Sequence, residues 1–476
     1  MKNTASILII FFSAAITSIL LDSQAWASNT SDEIIITVQT FDFEPQEVEL
    51  HLFNKIAQAE PDDMGISKIK TKAHGPAYYN LLSGRNRLEI FLLPGDSLHL
   101  ELNWSDPSGT VSFSGDRVIE NQFLIDKQKV KEDNGWNHFL ELYRSEPEDF
   151  QRKLDLGLYS IYGLVGELKS EGKADRSFVQ MEIQYPGFRT ALMAANYVQN
   201  HSRFNQVSPE EIDFSEEEAH QSLLKLNNNN VDLLPLPVFR EVLELQRNLI
   251  WKEQVNQEVY GQGYDVVMEE RFRVLVENFK SGEIVEFIKF DFLRFLLRRR
   301  GPGDVDSHFA CFLSETENPV YIQAMKADLK IWEPILPGKQ IPDFAFEKRD
   351  GDTIWLSDLR GKMVYIDVWA TWCGPCLQEA PHWDKLVEEY SDREIHFLAI
   401  SLDAVRDSWE NMLNSKEMKG IHVYAPGVWE SDFARHFNVR GIPRFILIDA
   451  EGRVILPQTE RPSGNIRERL DRLLKS

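Results

Sequence analysis

The sequence predicts a multidomain chain: a β-rich, sandwich-like domain at 28–119, an α-helical middle region at 120–335 and an α/β domain at 336–476, behind a leader at 1–27. Three observations predict it. Short apolar or alternating runs crowd the first region, apolar residues at three- and four-residue intervals fill the second, and strand-like and helix-like runs alternate in the last. With 476 residues, 43% of them hydrophobic, the chain has material for two or three cores. Its 52 basic and 75 acidic residues leave a net charge of −23, which argues against nucleic acid or anionic lipid as a partner.

The leader comes first. Lys2 precedes an apolar run from Ile7 to Leu21, and Ala25-Trp26-Ala27 precedes the polar Ser28-Asn29-Thr30, the form of a signal peptide cut after Ala27. An uncleaved N-terminal anchor is the alternative. Next come the β-type runs Ile34–Val38, Val48–Leu52, Leu88–Leu92, Leu98–Leu102 and Thr110–Phe113, with turns at Pro94-Gly95-Asp96 and Pro107-Ser108-Gly109, which predict a small antiparallel sandwich. Helical spacing marks Phe150–Leu168, Val238–Trp251 and Glu283–Arg300, with a loop at Asn227–Asn230 and Pro235–Pro237. The aromatic stripe Phe287, Phe290, Phe292 and Phe295 reads as core, Cys311 as a buried thiol, and Arg298-Arg299-Arg300 as a cationic helix end.

In the last region the expected order is strand, helix, strand 395–401, helix 406–418, strand 421–425, helix 430–437, strands 444–449 and 453–456, and helix 465–474. The first strand, Val364 to Trp369, runs into Trp372-Cys373-Gly374-Pro375-Cys376. Two cysteines at this spacing close a small disulfide if they begin a helix, and the free N–H groups of the first turn then favour a thiolate on Cys373. A thiolate attacks disulfides, and a second thiol one turn away releases the mixed disulfide that results. Asp367, in an otherwise apolar strand, is expected to be desolvated with a raised pKa, placed to take the proton of Cys376. Cys376, Ala380, Trp383, Leu386, Val387 and Tyr390 recur at helical spacing with Pro381 among them.

Other readings of the pair fare worse. Cys311 is the only other cysteine and no His-x-x-x-His cluster lies nearby, so zinc lacks ligands, and Leu377 stands where c-type haem attachment needs histidine. An inert bridge closing so short a loop removes little chain entropy.

The segment from about Pro337 to Ser476 resembles the thioredoxin superfamily, and within it the TlpA/ResA-like thiol-disulfide oxidoreductases of bacterial envelopes. Trp-Cys-Gly-Pro-Cys, the downstream Gly441-Ile442-Pro443, the lead-in Ile341-Pro342-Asp343-Phe344, the turn at Asp350-Gly351 and the stretch Leu356–Lys362 carry the likeness. It implies a thioredoxin-like fold with a prefixed hairpin, Cys373 as the exposed nucleophile, Cys376 as the resolving cysteine, Asp367 as the buried acid, Pro443 as the cis-proline facing the disulfide, and Glu379 as a carboxylate beside the site. Trp372, Gly374, Pro375 and Ile442 would border the client. Several members carry a neutral residue where this chain has Asp367. Thr371 does not fit the peroxiredoxin pattern. Leu93–Leu98 with Phe113-Ser114-Gly115 resembles the β-domain that precedes the redox domain in many Bacteroidetes members.

The expected function is that of a periplasmic thiol-disulfide oxidoreductase. Gly374-Pro375 and Ile442 resemble reducing thioredoxins, favouring reductase over oxidase or isomerase. The resemblance implies no cofactor or metal, a membrane electron donor of the DsbD/CcdA kind, and disulfide-containing envelope proteins or apocytochrome c as clients. The alternative is a partner- or ligand-binding envelope protein with a redox-sensing domain.

Overall fold

The computed structural model describes residues 32–41, 46–261, 264–301 and 306–475. The expected signal peptide, 1–27, lies outside the described residues.

Eight strands open the described chain: β1 (Glu33–Thr40), β2 (Val48–His51), β3 (Lys55–Ala59), β4 (Ile66–Lys72), β5 (Ala77–Ser83), β6 (Asn86–Leu92), β7 (Ser97–Leu102) and β8 (Ser112–Gly115). They form two four-stranded sheets, ordered β4-β1-β7-β8 and β3-β2-β5-β6. Alternation decides which side chains go inside. Ile34, Ile36 and Val38 of β1 and Leu98, Leu100 and Leu102 of β7 share one core with Val48, Leu50, Leu81 and Ile90 from the other sheet. The expectation of a purely antiparallel arrangement is corrected: β1 and β7 pair in parallel from Ile35↔Ser97 to Thr40↔Leu102. The chain builds the second sheet's hairpins between these strands and returns in the same direction, as a parallel pair requires. Thr110 also leaves the strand assigned to it, because Asp106 caps a short helix, Pro107–Thr110, by accepting from Gly109 N at 3.0 Å.

The middle region is helical from Val118–Asp133 to Pro319–Trp332. The helix Pro147–Glu171 shows why: Pro at its start lacks only an N–H that has no intrahelical partner, Phe150, Leu154, Ile161, Val165 and Leu168 make one buried stripe, and Gly172 ends it at φ +64°. Two side chains depart from expectation. In the helix Gly282–Arg300, Phe287, Phe290 and Phe292 are buried but Phe295 is 45% exposed. In the helix Asp306–Glu315, Phe309 and Phe312 take the inner stripe and turn Cys311 outward, exposed, with its Sγ 3.3 Å from Glu315 Oε1. Arg298 is held by Asp328, which lies 2.6 Å from Arg294 and is itself buried.

Seven strands make the last sheet: β9 (Ala345–Glu347), β10 (Thr353–Trp355), β11 (Met363–Trp369), β12 (Ile395–Ser401), β13 (Ile421–Tyr424), β14 (Arg444–Ile448) and β15 (Val454–Leu456). Their order is β10-β9-β13-β12-β11-β14-β15, with β11, β12 and β13 parallel and β14 antiparallel to β11. Central β11 is buried on both faces. Val364, Ile366 and Val368 join the large core that continues into the helical region, while Tyr365 and Trp369 face the helices Gly374–Glu389 and Ile466–Leu473. Period two puts Asp367 on this second face, under the helix that begins at the cysteines.

Candidate redox site

The chain leaves β11 at its C-terminal end, where an open α/β sheet presents its site. The turn that follows is pinned from β12: buried Asp403 accepts from Thr371 N at 3.1 Å and Thr371 Oγ1 at 2.6 Å, while Ser401 Oγ donates to it at 2.7 Å. Cys373 then caps the helix Gly374–Glu389, its Sγ accepting from Cys376 N at 3.2 Å, with a proline in the first turn. Cys373 and Cys376 are joined as a disulfide. The expected exposure of Cys373 is corrected: it is 4% exposed against 3% for Cys376. Capping the helix turns its sulfur inward over the first-turn N–H groups, and the bridge draws it against its partner.

Beneath the pair, Asp367 is buried, its Oδ1 accepts no hydrogen bond, and burial, followed by the nearby charge of Glu379, pushes its carboxyl well above the usual range. Glu379, also buried, accepts from Ser463 N at 3.0 Å and Ser463 Oγ at 2.8 Å, with Arg461 Nη1 3.8 Å away. The segment 457–463 is therefore a strap under the site. Pro457 O accepts from Arg444 Nη2 at 2.8 Å, Thr459 N donates to Phe445 O at 3.0 Å, and Glu460 O accepts from Tyr365 Oη at 2.7 Å.

The remaining anticipated residues gather on the outer side. Trp372 is 60% exposed, and Gly374 and Pro375 are exposed beside it. Ile442-Pro443 is a cis peptide, and the register pair Val368↔Arg444 puts Pro443 one step further on, level with the end of β11. Ile442 packs partly buried against the cores on both sides of the sheet.

Sequence reading missed Asp403, Ser463, Arg461 and Arg444. Two had a signal: Asp403 is a carboxylate directly after an apolar strand, and Arg444 is a cation opening the apolar run Phe445–Ile448. Ser463 and Arg461 had none. Among the described residues no group of His, Cys, Asp and Glu is arranged to hold a metal ion, and no helix is long and apolar enough to cross a membrane.

The C-terminal region is similar to known proteins. Residues 336–474 match the Redoxin family. The thiol-disulfide oxidoreductase ResA of Bacillus subtilis is 30% identical over 125 residues, covering 26% of this chain and 67% of that protein. ResA of Bacillus thuringiensis is 28% identical over 138 residues, 29% of this chain and 76% of its own. Among solved structures, a putative thiol-disulfide oxidoreductase from Bacteroides vulgatus is 32% identical, covers 30% of this chain and 99% of that chain, and superposes with a TM-score of 0.28. Through its C-terminal redoxin domain, the chain belongs to the ResA-like thiol-disulfide oxidoreductases of the thioredoxin superfamily.

Proposed function

We propose that the chain is a periplasmic dithiol reductase of disulfides in envelope proteins, kept reduced by a membrane electron donor of the DsbD/CcdA kind. The observation that carries this reading is the Cys373–Cys376 pair at a helix start, above a buried carboxylate that lacks a partner on one oxygen. In the reduced protein the Cys373 thiolate attacks one client sulfur, breaking the client's S–S bond and forming a mixed disulfide. The expelled client thiolate takes a proton from water. Cys376 then gives its proton to Asp367 and attacks Cys373 Sγ, which forms the internal disulfide and releases the second client thiolate. Two electrons pass to the client, and the donor returns them to the pair. Glu379, beside Asp367, tunes its proton affinity, and Pro443 with Trp372, Gly374, Pro375 and Ile442 borders the client.

Replacing Cys376 by Ser is expected to trap mixed disulfides on Cys373 in an envelope extract, and Cys373→Ser to abolish turnover. Capture of no partner removes the mechanism's support. The reduction potential decides direction. A value near that of thioredoxin, about −270 mV, fits a reductase, whereas one near −120 mV makes the protein an oxidant.

A second reading has its own observation: a groove of about 310 Å³ between the N-terminal sheets and the helix Pro319–Trp332, lined by Phe53, Asn54, His74, Tyr79 and Gln323 among others. A ligand there, bound with different affinity in the two redox states, would make the last domain a sensor. Capture there without a covalent intermediate, persisting when both cysteines are replaced, supports that reading, and equal affinity of the oxidised and reduced protein for the ligand sinks it.

A further inference from the structure

The approach to the disulfide is bordered by a second indole. The ring of Trp429 lies 6.4 Å from that of Trp372, inclined at 47°. Trp429 belongs to the turn that follows β13, in which Gly427 and Val428 have φ of +91° and +56°. A β-branched side chain is rarely found in that region. It is held there by local bonds: Val428 N donates to Ala425 O at 3.3 Å, Glu430 N to Gly427 O at 2.8 Å, and Ser431 Oγ to Val428 O at 2.8 Å. Backbone held in so sparsely populated a conformation gathers at ligand clamps and functional sites. Here two successive left-handed residues bring the next side chain beside Trp372.

Trp429 is anchored along one edge by the large core and half-buried, whereas Trp372 stands mostly free. The charged neighbours Glu430 and Arg435 pair with each other at 2.6 Å, which leaves the two indole rings as the apolar surface beside them. Because Cys373 is almost buried, a client cystine reaches it only by bringing its own flanking residues down onto this surface. Tryptophan is among the side chains enriched where binding energy concentrates.

We infer that Trp429 is a specificity-determining residue which, with Trp372, receives an apolar or aromatic side chain next to the client's cysteine. This rests on the exchange reaction proposed above and narrows its substrate class to disulfides in extended, apolar-flanked segments, such as unfolded chains expose. The test uses two disulfide-bridged peptides that differ only in carrying Leu-Phe or Gly-Ser beside the cysteine, reduced by the full chain. The expected result is a kcat/KM about tenfold higher for the Leu-Phe peptide, residing in KM. Trp429→Ala should bring the two peptides to near equality. Trp429→Phe, which keeps an aromatic ring, should retain most of the preference, and the reduction potential measured on each variant shows that the pair is intact. Equal use of the two peptides by the unmodified chain, or a preference that survives in Trp429→Ala, overturns the inference and leaves the exchange reaction standing. Failure to reduce either peptide overturns the exchange reaction and this inference with it.

Discussion

Asp367 lies between Ile366 and Val368, both wholly buried, and one of its oxygens has no hydrogen-bond donor. Its charged form is destabilised first by burial and second by Glu379, so its folded pKa lies above its unfolded one. The sign of the pH dependence follows. The folded state holds this proton more tightly, so over the window from the ordinary carboxylate range up to the raised folded value stability falls as pH rises. Asp367→Asn removes the penalty. The variant should be more stable than the parent at pH 8, where the parent carboxyl is driven to ionise in a buried site, with the gap closing towards pH 4 as that carboxyl becomes neutral. Thermal melts at the two pH values check this, and an equal gap at both would show that Asp367 does not carry the shift. On the proposed mechanism the same variant should resolve mixed disulfides more slowly, because Cys376 loses its proton acceptor.

At the scale of elements, the helix start at Cys373 is only as well placed as the turn before it. That turn depends on Asp403, reached from the next parallel strand. Asp403→Ala leaves the Thr371 N–H and two hydroxyls without their acceptor. A loss of about 2–3 kcal/mol is expected, together with a slower attack by Cys373, while Asp403→Asn, which retains one oxygen acceptor, should fall between. Denaturant unfolding and stopped-flow reduction of a small disulfide measure the two effects, and normal kinetics in a destabilised Asp403→Ala protein would confine Asp403 to stability. What was legible in the sequence follows the same division. Asp367 stood out as the one carboxylate in the apolar run Val364–Trp369, and the order of the C-terminal strands and helices could be followed from their apolar runs, because each element buries a continuous side. The strap at 457–463 was illegible because its bonds to Glu379, Tyr365 and Arg444 are made by backbone groups and a serine. β4 was passed over because Ile-Ser-Lys-Ile-Lys-Thr-Lys carries lysines along a sheet edge, which protects the edge but dilutes the apolar signal. Phe295 and Cys311 misled because residue type was read without fixing the helix phase.

At the scale of the whole molecule, the redox domain is joined to the helical region by more than a linker. Ile335 and Ile341 belong to the same core as Ile366 and Val368, and the connection is stitched to β15, Gly338 N donating to Val454 O at 2.7 Å. Nothing in the local pattern announced this contact, since its partners are far apart in sequence. Its centre is Trp332, 1% exposed and closely backed by Gly301, where an added Cβ would meet the indole at 2.6 Å. On the redox side Arg444, the residue after Pro443, places its guanidinium 5.3 Å from the Trp332 ring and donates to Pro457 O, with Gln458 Oε1 2.7 Å from Nη1. Burial lowers its pKa to about 10, so the ring and these oxygens must replace the water it has lost. Trp332→Ala removes both the packing and the face that Arg444 covers, an expected loss of about 3–5 kcal/mol. Since that loss falls on the junction, the effect should be uncoupling: one calorimetric transition for helical and redox regions in the parent, two in the variant, with faster proteolysis near residues 335–341. A single transition, merely lowered, would show that the shared core alone couples the regions. Two transitions with a changed reduction potential would mean that the helical region acts on the disulfide through Arg444 and Pro443, which would give the extra domains a part in the chemistry.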